Sequence, residues 1–154
     1  MTAQIESKGG MLSVARIAGA VVVAAAIGFS IHVLYGQGWA EAYVQRAADM
    51  GRLNGALHQP YPTTIVVIAA LTALVPTAGK VLAYILLKER LPGRSRIVKG
   101  LAFGLLVLLM GDALIRLPLM NAVIGNPFDV VLVQSLEGWL IAPLMGIAIA
   151  LLVP

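Results

Sequence analysis

From Leu12 to Tyr35 the chain is apolar apart from Ser13, Arg16, Ser30 and His32. A helix needs about 20 predominantly apolar residues to cross the roughly 30 Å hydrocarbon layer of a bilayer, and this stretch is long enough. A cleavable leader is the rival reading, because Lys8 and Arg16 flank its start. The apolar core of a leader is only roughly 7–15 residues, so the stretch reads as a retained span.

Three further apolar stretches follow. The second covers about 63–87 and is entered through Pro60-Tyr61-Pro62, which cannot continue a helix. The third covers about 97–119. The fourth, about 127–153, opens on Asn126-Pro127-Phe128-Asp129. There Asn126 suits an N-cap, Pro127 the first helical position and Asp129 the N3 site facing the helix dipole. The expected fold is all-α: one polytopic membrane domain over residues 1–154 with four transmembrane helices. Composition agrees, since 60% of the 154 residues are hydrophobic and 12% charged, against roughly 45–50% and roughly 25% in a globular chain.

Basic residues fix the expected orientation. Lys8, Arg16, Lys88, Arg90, Arg94, Arg96 and Lys99 fall on one side of the four spans, while Arg46 and Arg52, with Arg116 near them, fall on the other. The richer side is cytoplasmic by the positive-inside rule, so both termini face the cytoplasm and 88–96 is a cytoplasmic loop. The net charge of +4 resides largely in that loop, where contact with anionic headgroups or a partner explains it more simply than nucleic acid does. The expected partners are the bilayer and another membrane protein or a second copy. The expected location is a bacterial cytoplasmic (inner) membrane.

In the outer loop 36–62, Trp39, Tyr43, Met50, Leu53 and Leu57 recur at helical spacing, with Glu41, Gln45, Arg46, Asp49 and Arg52 between them. This pattern predicts a short amphipathic helix at the outer interface, with Gly36 and Gly38 turning the chain into it. A helix packed on the ends of the bundle fits the same pattern.

Helices in lipid gain little from hydrophobicity against one another, so close approach depends on small residues. Gly138, Ala142, Gly146 and Ala150 line one face of the fourth span at intervals of four, and Gly100, Gly104 and Gly111 mark the third. The first carries Ala15, Gly19, Ala20, Ala24 and Gly28. Pro76 and Pro143, inside spans, predict kinks.

Charges inside spans need a reason, because each costs at least about 2.5–3.5 kcal/mol at the bilayer centre. Asp112 and Arg116 are four apart in the third span, Glu137 lies in the outer half of the fourth, and His32 lies near the outer end of the first. The expectation is one buried polar cluster, with Arg116 between Asp112 and Glu137 and with His32, Asn121 and Gln134 beside it. Such a cluster either fixes helix register or handles a proton or cation. The inner half offers only Lys80, so the sequence displays no continuous relay.

No catalytic, metal or cofactor site is expected. The chain has no cysteine, which excludes thiolate chemistry and zinc-thiolate sites. His32 and His58 do not form an intramembrane pair, so no haem site is expected. Asp129 is accounted for by the start of a helix, which leaves Asp112 without a second aspartate for peptidase chemistry. The leading expectation is a non-enzymatic accessory or scaffold subunit of a membrane complex. The alternatives are a small proton- or cation-coupled transporter or channel-like oligomer, and more remotely a lipid-modifying enzyme with His32, Asp112 or Glu137 as general base.

Overall fold

A computed structural model describes residues 14–53, 63, 67, 70–71, 73–111, 113–123 and 125–153. Among them there is no strand. α1 (Val14–Ile31), a π-helical segment (His32–Ala40) and α2 (Glu41–Asp49) follow one another without a break. After them come α3 (Leu74–Leu87), α4 (Arg96–Met110), α5 (Arg116–Val123) and α6 (Phe128–Leu152). Thr63, Val67, Ala70 and Leu71, ahead of α3, are also helical. Among the described residues, two helices are long and apolar enough to cross a membrane: the 36-residue Val14–Asp49 and the 25-residue Phe128–Leu152.

The first of these departs from the expected turn. The chain does not bend at Gly36 and Gly38; it continues helical to Asp49. At about 1.5 Å per residue the whole helix is roughly 54 Å long, well beyond the hydrocarbon thickness. The two glycines are instead absorbed by a widened helix: the Glu41 N–H reaches back five residues to the Gly36 carbonyl and also meets that of Gly38. The apolar side of α2 is turned inward, with Val44 and Ala47 buried against Val130 of α6 and flanked by Tyr43 and Leu53.

The third apolar stretch is broken. α4 stops at Met110, Gly111 is extended (φ −92°, ψ 172°), and the helix resumes only at Arg116. Pro118 supplies the cause on the far side, since its ring would clash with the carbonyl of residue 114 in a continuous helix. In the first turn of α5 it does no harm, because no helical acceptor is needed there. Arg116 therefore opens a new helix rather than continuing the one that ends at Met110. At the head of α6 the helix begins one residue later than expected, with Pro127 as N-cap and no side-chain cap. The Asn126 amide instead donates to Asn121 Oδ1 at 3.3 Å.

α6 is the element on which the others pack. It runs antiparallel to α1, so that Gly28 lies against Met145 and Ile141. Ala20 and Ala24 join Val81, Tyr84, Phe103, Met145, Ile149 and Ala150 in one apolar core. Tyr84 and Phe103 meet edge-on, with ring centroids 5.3 Å apart, a favoured aromatic geometry. The tightest seam joins α4 to α6. A Cβ on Gly100 would stand 2.6 Å from Ile147 Cα, and one on Gly104 would stand 2.5 Å from the Ala142 carbonyl oxygen and 2.6 Å from Pro143 Cα. Backbone meets backbone there, which only glycine permits.

Candidate functional site

The π-helical segment places residues four and five apart on one side of the helix, and it does so where the chain faces the N-terminal half of α6. π-turns are rare and concentrate at functional sites. His32 opens the segment, and its Nδ1 lies 2.6 Å from Glu137 Oε1. Gly36, one turn on, is what admits the carboxylate, because a Cβ at that position would lie 2.5 Å from Glu137 Oε2. Gln37 completes the row, its Nε2 3.2 Å from His32 Nε2.

The donor inventory assigns the protons. An amide nitrogen only donates, so His32 Nε2 accepts from Gln37 and His32 Nδ1–H donates to Glu137, which describes a neutral imidazole. To donate from both ring nitrogens, His32 would need the Gln37 amide turned to present its oxygen.

Farther out along α6 a second polar contact ties the two long helices together. The Tyr43 hydroxyl donates to Asp129 Oδ2 at 2.6 Å, and Arg52 Nη2 lies 2.9 and 3.0 Å from the two carboxylate oxygens. The bond to Asp129 is the leading reason the Arg52 pKa is raised further above its usual value. Asp129 sits in the first turn of α6, where a carboxylate favours the dipole. Between the two contacts the Tyr35 hydroxyl donates to the Val133 carbonyl at 2.8 Å. Tyr35, Trp39 and Tyr43 form a ladder with centroid spacings of 5.5 and 5.8 Å.

Within this frame lies a cleft of about 440 Å³, bordered by Glu41, Val44, Ala113, Asn121, Gln134 and Glu137. Its far wall is the interruption between α4 and α5. Within that interruption Trp139 Nε1 donates to the Ala113 carbonyl at 3.1 Å. Among the described residues, no three His, Asp or Glu side chains converge as a metal site.

Of the expected cluster, the structure brings His32 and Glu137 together, and Asn121 and Gln134 border the same cleft. The side-chain hydrogen-bond partner it gives Glu137 is His32. Arg116 opens α5 on its exposed side, while Asp112 and His58 lie outside the described residues. Gln37, Glu41 and Trp139 were not among the expected site residues. The π-widening that aligns Gln37 and the helix break that engages Trp139 have no periodic signature.

At the opposite end of the molecule, Arg16 and Arg96 border a cavity of about 380 Å³ with Leu151 and Leu152. The start of α1, the start of α4 and the end of α6 therefore meet at one end. Lys88 and Arg90 lie in the turn after α3, Arg94 precedes the Ser95 cap of α4, and Lys99 is in its first turns. Gly138 faces Ala113, while Ala142, Gly146 and Ala150 lie along the α4 seam with Gly100 and Gly104.

The class these observations define is a protein that is all-helical among its described residues, two of whose described helices are long and apolar enough to cross a membrane. Comparison with protein-family models, with curated protein sequences and with solved structures finds no match.

Proposed function

We propose that the chain is a small multi-pass integral protein of a bacterial cytoplasmic membrane, crossing the bilayer four times with both ends in the cytoplasm. In this reading it acts without catalysis as an accessory or scaffold subunit. The observation that carries the proposal is outward apolar surface along the long helices. In Val14–Asp49 only 11% of the most apolar stretch is buried within the chain, whereas the core helix of a soluble protein buries its apolar residues. Leu34, Val75, Leu86 and Met110 are 75–81% exposed. Left in water, such side chains would each forfeit about 1.5–3 kcal/mol; acyl chains cover them without loss. The first helix is not a detached leader in this reading, since Ala20 and Ala24 are fully enclosed against the other helices.

The small residues of α1 divide between two faces. Ala20, Ala24 and Gly28 turn inward, while Ala15 and Gly19 are exposed, and no atom of the described residues lies within 4 Å of a Cβ built on Gly19. An outward small-residue face suits a helix of another subunit, which favours the accessory reading. The expected result is that the chain, extracted from its native membrane in mild detergent, migrates with a second integral protein in fixed stoichiometry. Gly19→Leu should release that partner without altering the chain's own unfolding. A chain that stays monodisperse in buffer without detergent would end the proposal.

A second reading is favoured by one feature, the His32–Glu137 contact at the edge of a polar cleft, which suits a proton or cation step. In that reading Glu137→Gln abolishes a pH-gradient-driven flux in proteoliposomes, and an unchanged flux excludes it.

A further inference from the structure

We infer that the cleft between the π-helical segment, α6 and the α4–α5 interruption binds a small organic ammonium group. The inference rests on the membrane reading only for the depth of the cleft, not on the accessory role. The lining chemistry decides the sign of the ligand. Two carboxylates, Glu41 and Glu137, face the cavity from different helices, and among the described lining residues there is no lysine or arginine. Glu137 gives Oε1 to His32, which leaves Oε2 as an acceptor. Asn121 and Gln134 border the cavity with amides that can donate or accept, the Asn121 oxygen already accepting from Asn126, and Ser135 directs its hydroxyl back to the Val131 carbonyl at 2.7 Å, so it offers lone pairs rather than a donor. The two carboxylates with no basic residue beside them make the site negative, the complement of an N–H-bearing or methylated cation.

Size and coordination narrow the class. A cavity of about 440 Å³ falls in the range of small-molecule pockets, roughly 300–1,000 Å³, and is far larger than a bare ion requires. No set of three ligand side chains converges among the described residues, as a desolvated divalent cation would demand. Depth suggests where the ammonium comes from. Glu137 lies eight residues below Asp129 on α6, about 12 Å at roughly 1.5 Å per residue. Trp39 and Tyr43, the residue types that mark the headgroup level, flank the same stretch of helix. An ethanolamine headgroup entering from the outer leaflet and a free amine entering from outside present the same ammonium to the same carboxylates.

The chain's two tryptophans, Trp39 and Trp139, both lie in this region, so intrinsic fluorescence reports occupancy. Protein in an uncharged maltoside detergent is titrated separately with short-chain phosphatidylethanolamine, with ethanolamine and with short-chain phosphatidylglycerol. The expected result is saturable binding of at least one of the two ammonium compounds and none of phosphatidylglycerol. Affinity should fall about tenfold or more in Glu41→Gln, the loss of one charge-assisted contact, and further in Glu41→Gln/Glu137→Gln. Binding of the phospholipid alone identifies a headgroup site; binding of ethanolamine identifies a soluble amine. Glu41→Gln is the decisive variant, because Glu41 makes no ion pair among the described residues and its loss leaves the His32–Glu137 contact in place. No binding of either ammonium compound, or binding unchanged in a folded Glu41→Gln protein, overturns the inference. Either result leaves the chain's dependence on detergent untouched.

Discussion

Replacing Gly104 with alanine is expected to destabilise the folded bundle by about 3 kcal/mol, the upper part of the range for forcing extra volume into a packed interface. The added methyl would stand 2.5 Å from the Ala142 carbonyl oxygen and 2.6 Å from Pro143 Cα. Both obstacles are backbone, so no rotamer change relieves the clash and α4 must move away from α6. Gly100 and Gly146 lie on the same seam, so Gly100→Ala/Gly104→Ala should cost less than the sum of the two single changes, because one separation serves both. Gly19→Ala and Gly79→Ala are the controls: no atom of the described residues lies within 4 Å of either added Cβ. Each should shift stability by no more than about 1 kcal/mol, in the stabilising direction favoured by alanine's helix propensity. Reversible unfolding in mixed micelles measures all of these. Equal unfolding curves for Gly104→Ala and Gly19→Ala would mean that the two helices do not meet at this seam.

The second large effect concerns the polar contact between His32 and Glu137. His32→Ala leaves the Glu137 carboxylate without its imidazole donor in a half-buried position, and Glu137→Gln leaves His32 Nδ1–H facing a weaker neutral acceptor. Each change should cost roughly 1–2 kcal/mol, within the range for a polar group deprived of its partner and reduced by the partial exposure of both side chains, 45% for His32 and 27% for Glu137. In a double-mutant cycle the coupling free energy should be about 1 kcal/mol, above the roughly 0.3–0.5 kcal/mol scatter of independent sites. A coupling near zero would mean that the two groups do not interact in the folded protein, and the reading of the cleft as a site with a proton-bearing neighbour would fall with it.

The sequence carries much of this arrangement, and the parts it hides have physical reasons. Counting residues along each apolar stretch puts His32 and Glu137 at a common depth, because rise per residue is nearly constant along a helix. Choosing Glu137's partner requires rotation about the helix axis as well, and the π-helical segment changes that rotation between His32 and Ala40. A regular helical count therefore favours Arg116, whereas the widened turns present His32. Gly36 and Gly38 illustrate the ambiguity of glycine, which serves equally a turn, a widened helix or the close approach of a carboxylate. The interruption after Met110 was written in Gly111 and Pro118, but a hydropathy window passes over a break of a few residues when both flanks are apolar. The glycines at 100, 104 and 146 are more legible, since intervals of four define a face without knowledge of the partner. The partner helix itself is supplied by the fold alone.

The most direct measurement of the central claim uses the absence of native cysteine. Single cysteines are placed at Gln45, on the exposed side of α2, and at Arg94, between α3 and α4, and intact spheroplasts are treated with an impermeant maleimide. If lipid is the solvent of the helices and the basic loop faces the cytosol, Gln45→Cys reacts in intact spheroplasts and Arg94→Cys reacts only after the membrane is opened. Labelling of Arg94→Cys in sealed spheroplasts at the rate of Gln45→Cys would contradict that arrangement.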